Sequence, residues 1–533
     1  MQGKYNEIPH SNVKFFQCCY QQIIRSGVNA TADNEFTLTS CKEFTGNISL
    51  TTEDEFILVK CSGFLWFISS EVYKNGHALI RTKKSVKKKF QENLHKDKIN
   101  VFLMGIDSIS RLNLIRAMPE TYKHLNQTDD WFELRGYNKI GDNTLPNLLA
   151  IFTGKSEGDF RKKCDWSKVG GLENCKYIWN DFSDSSYVTA YAEDESSINT
   201  FNYHKPGFVK PPTDHYLRPF NLAIEENLEI RTVNKRRMCV GYQNYADYIY
   251  NYGFDYAEKY SNNSYFGVFW TNSFSHEDLS MISEMDARVK YYLEQLETRG
   301  ILNSSIVIFF SDHGMRFGPI RNLFIGWLEE RLPFFYIWLP PKFRQSNPDI
   351  VEALRINRDR LSSPYDVHVT LKHILKMSGG FEDELSAVSC PKCQSLFTEL
   401  PLNRSCADAG IDQHWCTCVD FQVIDESSNI VQSAVQKIIS EVNKHLAPYP
   451  KCAKLKLKKV HSARKSAYNS STNYLISFNV SPSNAQLEAT IRCDDDKNCE
   501  DYKIIGTVSR LNRYGDQSIC VNDSELRKYC YCM

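Results

Sequence analysis

Between residues 99 and 339 the chain alternates short apolar runs with stretches of helical periodicity. The runs are Ile99 to Ile106, Trp131 to Tyr137, Tyr187 to Tyr191, Tyr265 to Trp270, Ser305 to Phe310 and Phe334 to Leu339. After Ser305 the fifth run is apolar at every position, Ile306-Val-Ile-Phe-Phe310, with no polar alternation. That pattern predicts a strand buried on both faces of a parallel sheet. Over Glu277 to Arg299, Ile282, Met285, Val289, Leu293 and Leu296 fall on one helical face, and Gly300 follows as a stop. A second helix is predicted to start at Ser363-Pro364, a cap followed by proline at the first position, with Asp366 placed for a capping-box variant. Strands alternating with helices over such a length predict an α/β/α sandwich around a central, mostly parallel sheet. We expect it to span residues 96–400.

The flanks read differently. Residues 1–95 are polar, carry four cysteines and hold only short β-like runs, Phe36 to Thr39, Phe56 to Val59 and Phe64 to Ile68. They predict a small disulfide-tied module. Residues 401–533 combine short strands, Ser/Asn-rich loops and many cysteines, which predicts a Cys-rich α+β region. The basic run Arg81 to Lys89 reads as a solvated segment ahead of the first core strand.

Composition adds a compartment. The chain has 533 residues, 42% hydrophobic and 24% charged, with a formal net charge of zero, so nothing points to a nucleic-acid partner. It has 18 cysteines and nine Asn-x-Ser/Thr sequons, at Asn29, Asn47, Asn126, Asn262, Asn303, Asn403, Asn469, Asn479 and Asn522. Together these favour the oxidising secretory pathway and a glycoprotein, extracellular or membrane-anchored. Cys390-Pro-Lys-Cys393 and Cys416-Thr-Cys418 have spacings that bind zinc in reduced proteins, but no second clean pair accompanies them, so disulfides are expected. The first half has seven cysteines and the tail eleven. If no thiol is free, at least one bridge must cross between them. Met1 to Tyr20 contains no basic-then-apolar leader. A leader or anchor preceding Met1 is therefore expected, and membrane association would run through it.

Three segments carry chemistry. Val101-Phe-Leu-Met-Gly-Ile-Asp107 ends a predicted strand in a carboxylate, and Ser311-Asp312-His313-Gly314 ends another in a carboxylate and an imidazole. Open α/β folds bind ligands at these carboxyl ends. Gly141-Asp142-Asn143-Thr144 is a polar turn feeding a helix, where exposed N–H groups favour anions. A hydroxyl placed there beside a divalent metal can act as a nucleophile on a phosphoryl or sulfuryl centre.

In this order the segments resemble the alkaline phosphatase superfamily, which includes sulfatases, nucleotide phosphodiesterases and phosphoethanolamine transferases. The segments Leu293 to Ile308 and Tyr365 to Leu371 resemble its later elements. Gly326-Trp-Leu-Glu-Glu-Arg-Leu-Pro333 and Cys406 to Cys418 are similar to a poorly characterised secretory branch of sulfatase-like animal proteins. The resemblance covers residues 95 to about 420 and extends toward the tail. It implies that Asp107, Thr144, Asp312 and His313 ligate a metal, with Thr144 as nucleophile. It implies that His276 is a second-site ligand or a substrate-binding, catalytic imidazole, and that Asn147 lies at the substrate. The His in Asp312-His313 suits zinc or manganese over calcium, as one or two ions. Where the superfamily's phosphodiesterases carry Asp, four residues before His276, this chain has Asn272, which weakens a full second site. Sulfatases mature a Cys or Ser followed by Pro and Arg; Thr144-Leu-Pro-Asn-Leu148 offers neither the residue nor the Arg. His368 and His414 are alternative contributors to the site, but His368 is read as packed in its helix and His414 lies in the Cys-rich segment; Asp286 is read as a buried structural hydrogen-bonding group. The expected activity is metal-dependent hydrolysis or transfer of a small-molecule, lipid or glycan phosphoester. The alternatives are sulfate-ester hydrolysis through unmodified Thr144 and a non-catalytic binding protein on the same scaffold.

Overall fold

The computed structural model describes residues 15–65, 68–92, 98–234, 236–380, 385–468, 471–494, 502–523 and 525–533. Asn469 lies outside them, as does part of the run Phe64 to Ile68. At the centre is a seven-stranded sheet in the order 131–133, 335–338, 305–310, 100–106, 265–271, 188–193, 215–216. The five strands from 305–310 to 215–216 run parallel. The strand Phe335–Trp338 pairs antiparallel on either side. The α/β/α sandwich expected from the apolar pattern is present.

Both faces of this sheet are dry, as uninterrupted apolar strands require. Phe102, Met104, Val307 and Phe309 face one layer, with the helices Tyr245–Lys259 and Asp286–Thr298. Val101, Leu103, Ile306 and Ile308 face the other, with the helices Thr144–Thr153 and Pro364–Met377. Ser363 and Asp366 form the anticipated capping box. Asp366 is also clamped by Arg404 at 2.8 Å, which ties the helix Pro364–Met377 to the Cys-rich segment.

A sheet within residues 15–78 carries the bridges Cys18–Cys61 and Cys19–Cys41. One of its faces joins the central core through Ile23, Phe56 and Leu58. A five-stranded sheet follows in the last quarter of the chain, with the helix Asn429–Leu446 against it. Seven disulfides lie within the described residues, and Cys390–Cys393 and Cys406–Cys416 are among them. None of the seven joins the two halves of the chain, because one thiol in each half is free, Cys239 and Cys418.

Three expectations are corrected. Residues 277–285 are not α-helical: a 3-10 turn occupies Met281–Met285 and the helix begins at Asp286. The Asp278 carboxylate accepts from Ser280 N at 2.9 Å and Ser280 Oγ at 2.7 Å, a local turn that competes with helix formation. Trp131–Glu133 is strand, but the run leaves the sheet before Tyr137. The basic run is not simply solvated. It forms the helix Lys84–Glu92, with Val86 buried in the core and Lys89 Nζ 2.6 Å from Asp214. Asp286 does serve structure, accepting the amides of Glu120 and Thr121 at 2.9 and 2.8 Å.

Candidate metal centre

Register brings the first two ligand candidates together. The strands 100–106 and 305–310 are adjacent and parallel, with Gly105 opposite Phe310. Two residues further along each strand stand Asp107 and Asp312, side by side at the carboxyl edge. His313 follows at once, and glycine at 314 lets the backbone there pass close against the Glu329 carbonyl. A Cβ on Gly314 would come within 2.1 Å of the Glu329 carbonyl oxygen. Asp107, Asp312 and His313 are buried, and one ligating atom from each lies within 4.8 Å of the others. His313 Nε2 is 3.2 Å from Asp312 Oδ2 and 3.6 Å from Asp107 Oδ1.

Thr144 arrives from the opposite side, at the first position of its helix. Its hydroxyl donates to Asp107 Oδ1 at 3.3 Å and is only half-buried. The turn that presents it is locked by Asn147. The Asn147 Oδ1 accepts the amides of Ile140 and Gly141 at 2.8 and 3.2 Å. Its Nδ2 donates to the carbonyls of Gly141 and Asn143 at 3.2 and 2.8 Å. Asn147 is completely buried with all these bonds made to backbone, so it shapes the turn that presents Thr144.

Ser108 is a site residue the sequence did not single out. It adopts φ +63°, unusual for a non-glycine residue. Its Oγ donates to Asp107 Oδ1 at 3.0 Å and its amide to Asp312 Oδ1 at 3.2 Å, so one strained residue grips both carboxylates.

Three lone-pair atoms at the centre, Asp107 Oδ2, Asp312 Oδ2 and His313 Nε2, are buried and have no hydrogen-bond partner. Buried acceptors of this kind are rarely left unmatched. His313 Nδ1 donates to the Gly314 carbonyl at 2.8 Å, which leaves Nε2 as the lone-pair nitrogen facing the carboxylates. Burial and the charge of Asp312 push the Asp107 carboxyl well above the usual range. Burial raises Asp312 as well, against hydrogen bonds from Thr144, Ser108 and His313. Burial holds His313 far below the ordinary imidazole value, so it is neutral and able to ligate. Two carboxylates and one neutral imidazole with open lone pairs fit a borderline divalent cation.

His276 stands at the open side, with Nε2 4.0 Å from Asp107 Oδ2 and its side chain about 30% exposed. Asn272 points elsewhere. It accepts from Trp270 Nε1 at 3.0 Å and donates to Glu193 at 3.1 Å, so no second carboxylate enters the centre from that position. His368 donates Nδ1–H to the Ile151 carbonyl at 2.9 Å, and His414 is held between Thr490 and Ser509. Both are packed residues.

Residues 2–461 match the family DUF229, described as a protein of unknown function. The chain belongs to DUF229. No curated protein matches. Among solved structures, this DUF229 chain is similar to a phosphonate monoester hydrolase from Silicibacter pomeroyi. That likeness has a TM-score of 0.41 and 10% identity, over 76% of this chain and 90% of that one. It is also similar to the lipoteichoic acid synthase LtaP from Listeria monocytogenes, with a TM-score of 0.37 and 12% identity, over 82% and 90%. The C-terminal periplasmic domain of EcEptC from Escherichia coli gives 0.37 and 12%, over 59% and 89%. The layered α/β sheet expected from the sequence is present, with Asp107 and Asp312-His313 at the carboxyl ends of adjacent strands.

Proposed function

We propose that this DUF229 chain is a metal-dependent phosphoester hydrolase or phosphotransferase with Thr144 as nucleophile. The observation that carries the reading is the half-buried Thr144 hydroxyl, hydrogen-bonded to Asp107 beside three unmatched lone-pair atoms. Asp107, Asp312, His313 and Thr144 would hold one zinc or manganese ion. When bound, that ion withdraws charge from the phosphoryl oxygens and lowers the energy of the ionised hydroxyl.

The chain's own residues do the rest. Thr144 Oγ1 gives up its proton toward Asp107 and attacks phosphorus, while the bond to the leaving alcohol breaks in line on the far side. His276, at the solvent side, is placed to hold the substrate and to supply a proton to the leaving oxygen. Water or an acceptor hydroxyl then takes the phosphoryl group from Thr144 and restores its hydroxyl. A lipid or glycan phosphoester is the proposed substrate class.

The proposed setting is the secretory pathway. Seven disulfides support it. So do the sequons: Asn29, Asn47, Asn126, Asn262, Asn303, Asn403 and Asn522 are exposed, and Asn479 is half-buried. Among the described residues no helix is long and apolar enough to cross a membrane.

The test is turnover of aryl phosphomonoesters, phosphodiesters and sulfates by purified protein loaded with zinc or manganese. Thr144→Ala and Asp312→Asn are each expected to abolish phosphoester cleavage, and metal binding is expected to weaken in Asp312→Asn. Equal turnover before and after both changes would end the reading, and selective cleavage of the sulfate would replace it.

A further inference from the structure

Beyond residue 461, where the DUF229 match ends, the chain returns to the catalytic unit at three loops. Arg513 donates to the Glu277 carbonyl and lies 3.6 Å from the Glu277 carboxylate, next to His276. Arg527 contacts His204. Lys528 reaches furthest in: its Nζ is 2.9 Å from Asp142 Oδ2, in the turn that presents Thr144. Lys528 and Asp142 are 4% and 8% exposed, so this ion pair is shielded from solvent.

The pair is held from both ends. Lys528 sits in the short turn Leu526–Lys528, and its carbonyl accepts from Arg510 at 2.9 Å. Cys452–Cys530 and Cys520–Cys532 fasten the chain on either side of it. On the catalytic side the Asp142 carbonyl accepts from Lys139 at 3.1 Å. Lys139 pairs with Glu330, which bonds Arg331 at 2.7 Å. Arg331 meets Glu488, on the C-terminal strand Gln486–Cys493, at 3.1 Å. The nucleophile turn is thus suspended between two buried lysines: Lys528 belongs to the C-terminal region, and Lys139 is linked to that region through Glu330, Arg331 and Glu488.

We propose that Lys528 is a positioning residue for Thr144, and that residues 511–523 and 525–528 form a wall of the active site that the catalytic unit lacks by itself. The proposal rests on Thr144 being the nucleophile. Lys528 would touch neither substrate nor metal. It fixes Asp142, two residues ahead of Thr144, so its loss lets the hydroxyl drift from the line of attack. Displacement of a reacting group by about 1 Å costs on the order of 100-fold in rate.

The test compares Lys528→Gln, Lys528→Arg and the double variant Asp142→Asn/Lys528→Gln in the full chain, with Thr144→Ala as control. The double variant removes both charges and so leaves no unpaired buried ion if the single change impairs folding. Para-nitrophenyl phosphate turnover is expected to lose about 100-fold in kcat in both Gln variants, with KM little changed and kcat partly recovered in Lys528→Arg. Zinc uptake, measured by competition with a chromogenic chelator, should stay at wild-type stoichiometry because three of the four proposed ligands, Asp107, Asp312 and His313, keep their places. Hydrogen exchange at residues 139–145 should accelerate. Wild-type kcat in the folded double variant, or unchanged exchange in that turn, would overturn the proposal. If Thr144→Ala itself retains activity, the nucleophile reading fails instead, and the exchange measurement still decides whether Lys528 holds the turn.

Discussion

Ser108 shows how much of the centre depends on a side chain that never needs to touch the ion. Left-handed backbone at a non-glycine residue costs about 1–2 kcal/mol, and it persists here because the same residue bonds both carboxylates. Ser108→Gly keeps the amide bond to Asp312 and relieves the strain, but removes the hydroxyl from Asp107. We expect a protein at least as stable as wild type that binds zinc about 10-fold more weakly, since residues orienting a ligand contribute on that order. Melting temperature and a zinc competition titration read the two effects separately; tighter or equal zinc binding would refute the assigned role. Acid should act on the same atoms. Asp107 and Asp312 have raised carboxyl pKa values, so protons compete with a cation for them at a higher pH than for ordinary carboxylates. Apparent zinc affinity is therefore expected to fall from pH 7 to pH 5. An affinity unchanged over that interval would mean that these carboxylates do not bind the ion.

The strands and their ends were legible because each obeys a short-range rule. An apolar run without polar alternation has only one comfortable place, between two covered faces, and the first polar residues after it must emerge at an edge. Asp107 and Asp312-His313 were visible for that reason, and parallel pairing of their strands then made them neighbours. What the sequence hid was set by contacts that periodicity does not report. The first turns of the helix predicted from Glu277 are lost to the Asp278 turn, and Glu277 itself is taken up by Arg513 from 236 residues away. The partnership of Lys528 with Asp142 spans still more chain. The resemblance alone put Asn147 at the substrate, and a motif match does not tell a buried amide from an exposed one. The four bonds of Asn147 to the turn make a different prediction. Asn147→Leu keeps the volume but strands buried backbone groups, at about 1–3 kcal/mol for each one left unsatisfied. Thermal unfolding should drop sharply, and any folded fraction should have lost kcat through Thr144. A variant of normal stability would show that water replaces those bonds.

The α/β/α sandwich and the C-terminal sheet region are joined through buried charge, and His414 lies at that junction. Its ring is held by Thr490 at 2.8 Å and Ser509 at 3.2 Å, while its own carbonyl accepts from Arg331 at 3.0 Å. Burial, with Arg331 adding to it, pushes the imidazole pKa down to about 3. An unfolded histidine titrates near 6.5. Between those values the unfolded chain binds the proton and the folded chain does not, so stability contributed by His414 is present above about pH 6.5 and is lost as pH falls toward 3. Other buried groups titrate in the same interval, and burial raises Asp194 to about 7, which works in the opposite direction. The contribution of His414 must therefore be read as a difference. His414→Gln keeps hydrogen-bonding capacity and cannot titrate. At pH 7 it should be the less stable protein in urea unfolding with disulfides intact. At pH 5 its deficit should shrink by roughly 2 kcal/mol, because wild type alone pays for keeping that ring neutral. A deficit equal at both pH values would mean that folding leaves the His414 pKa unshifted, and a deficit that grows at pH 5 would mean that the junction holds a buried imidazolium.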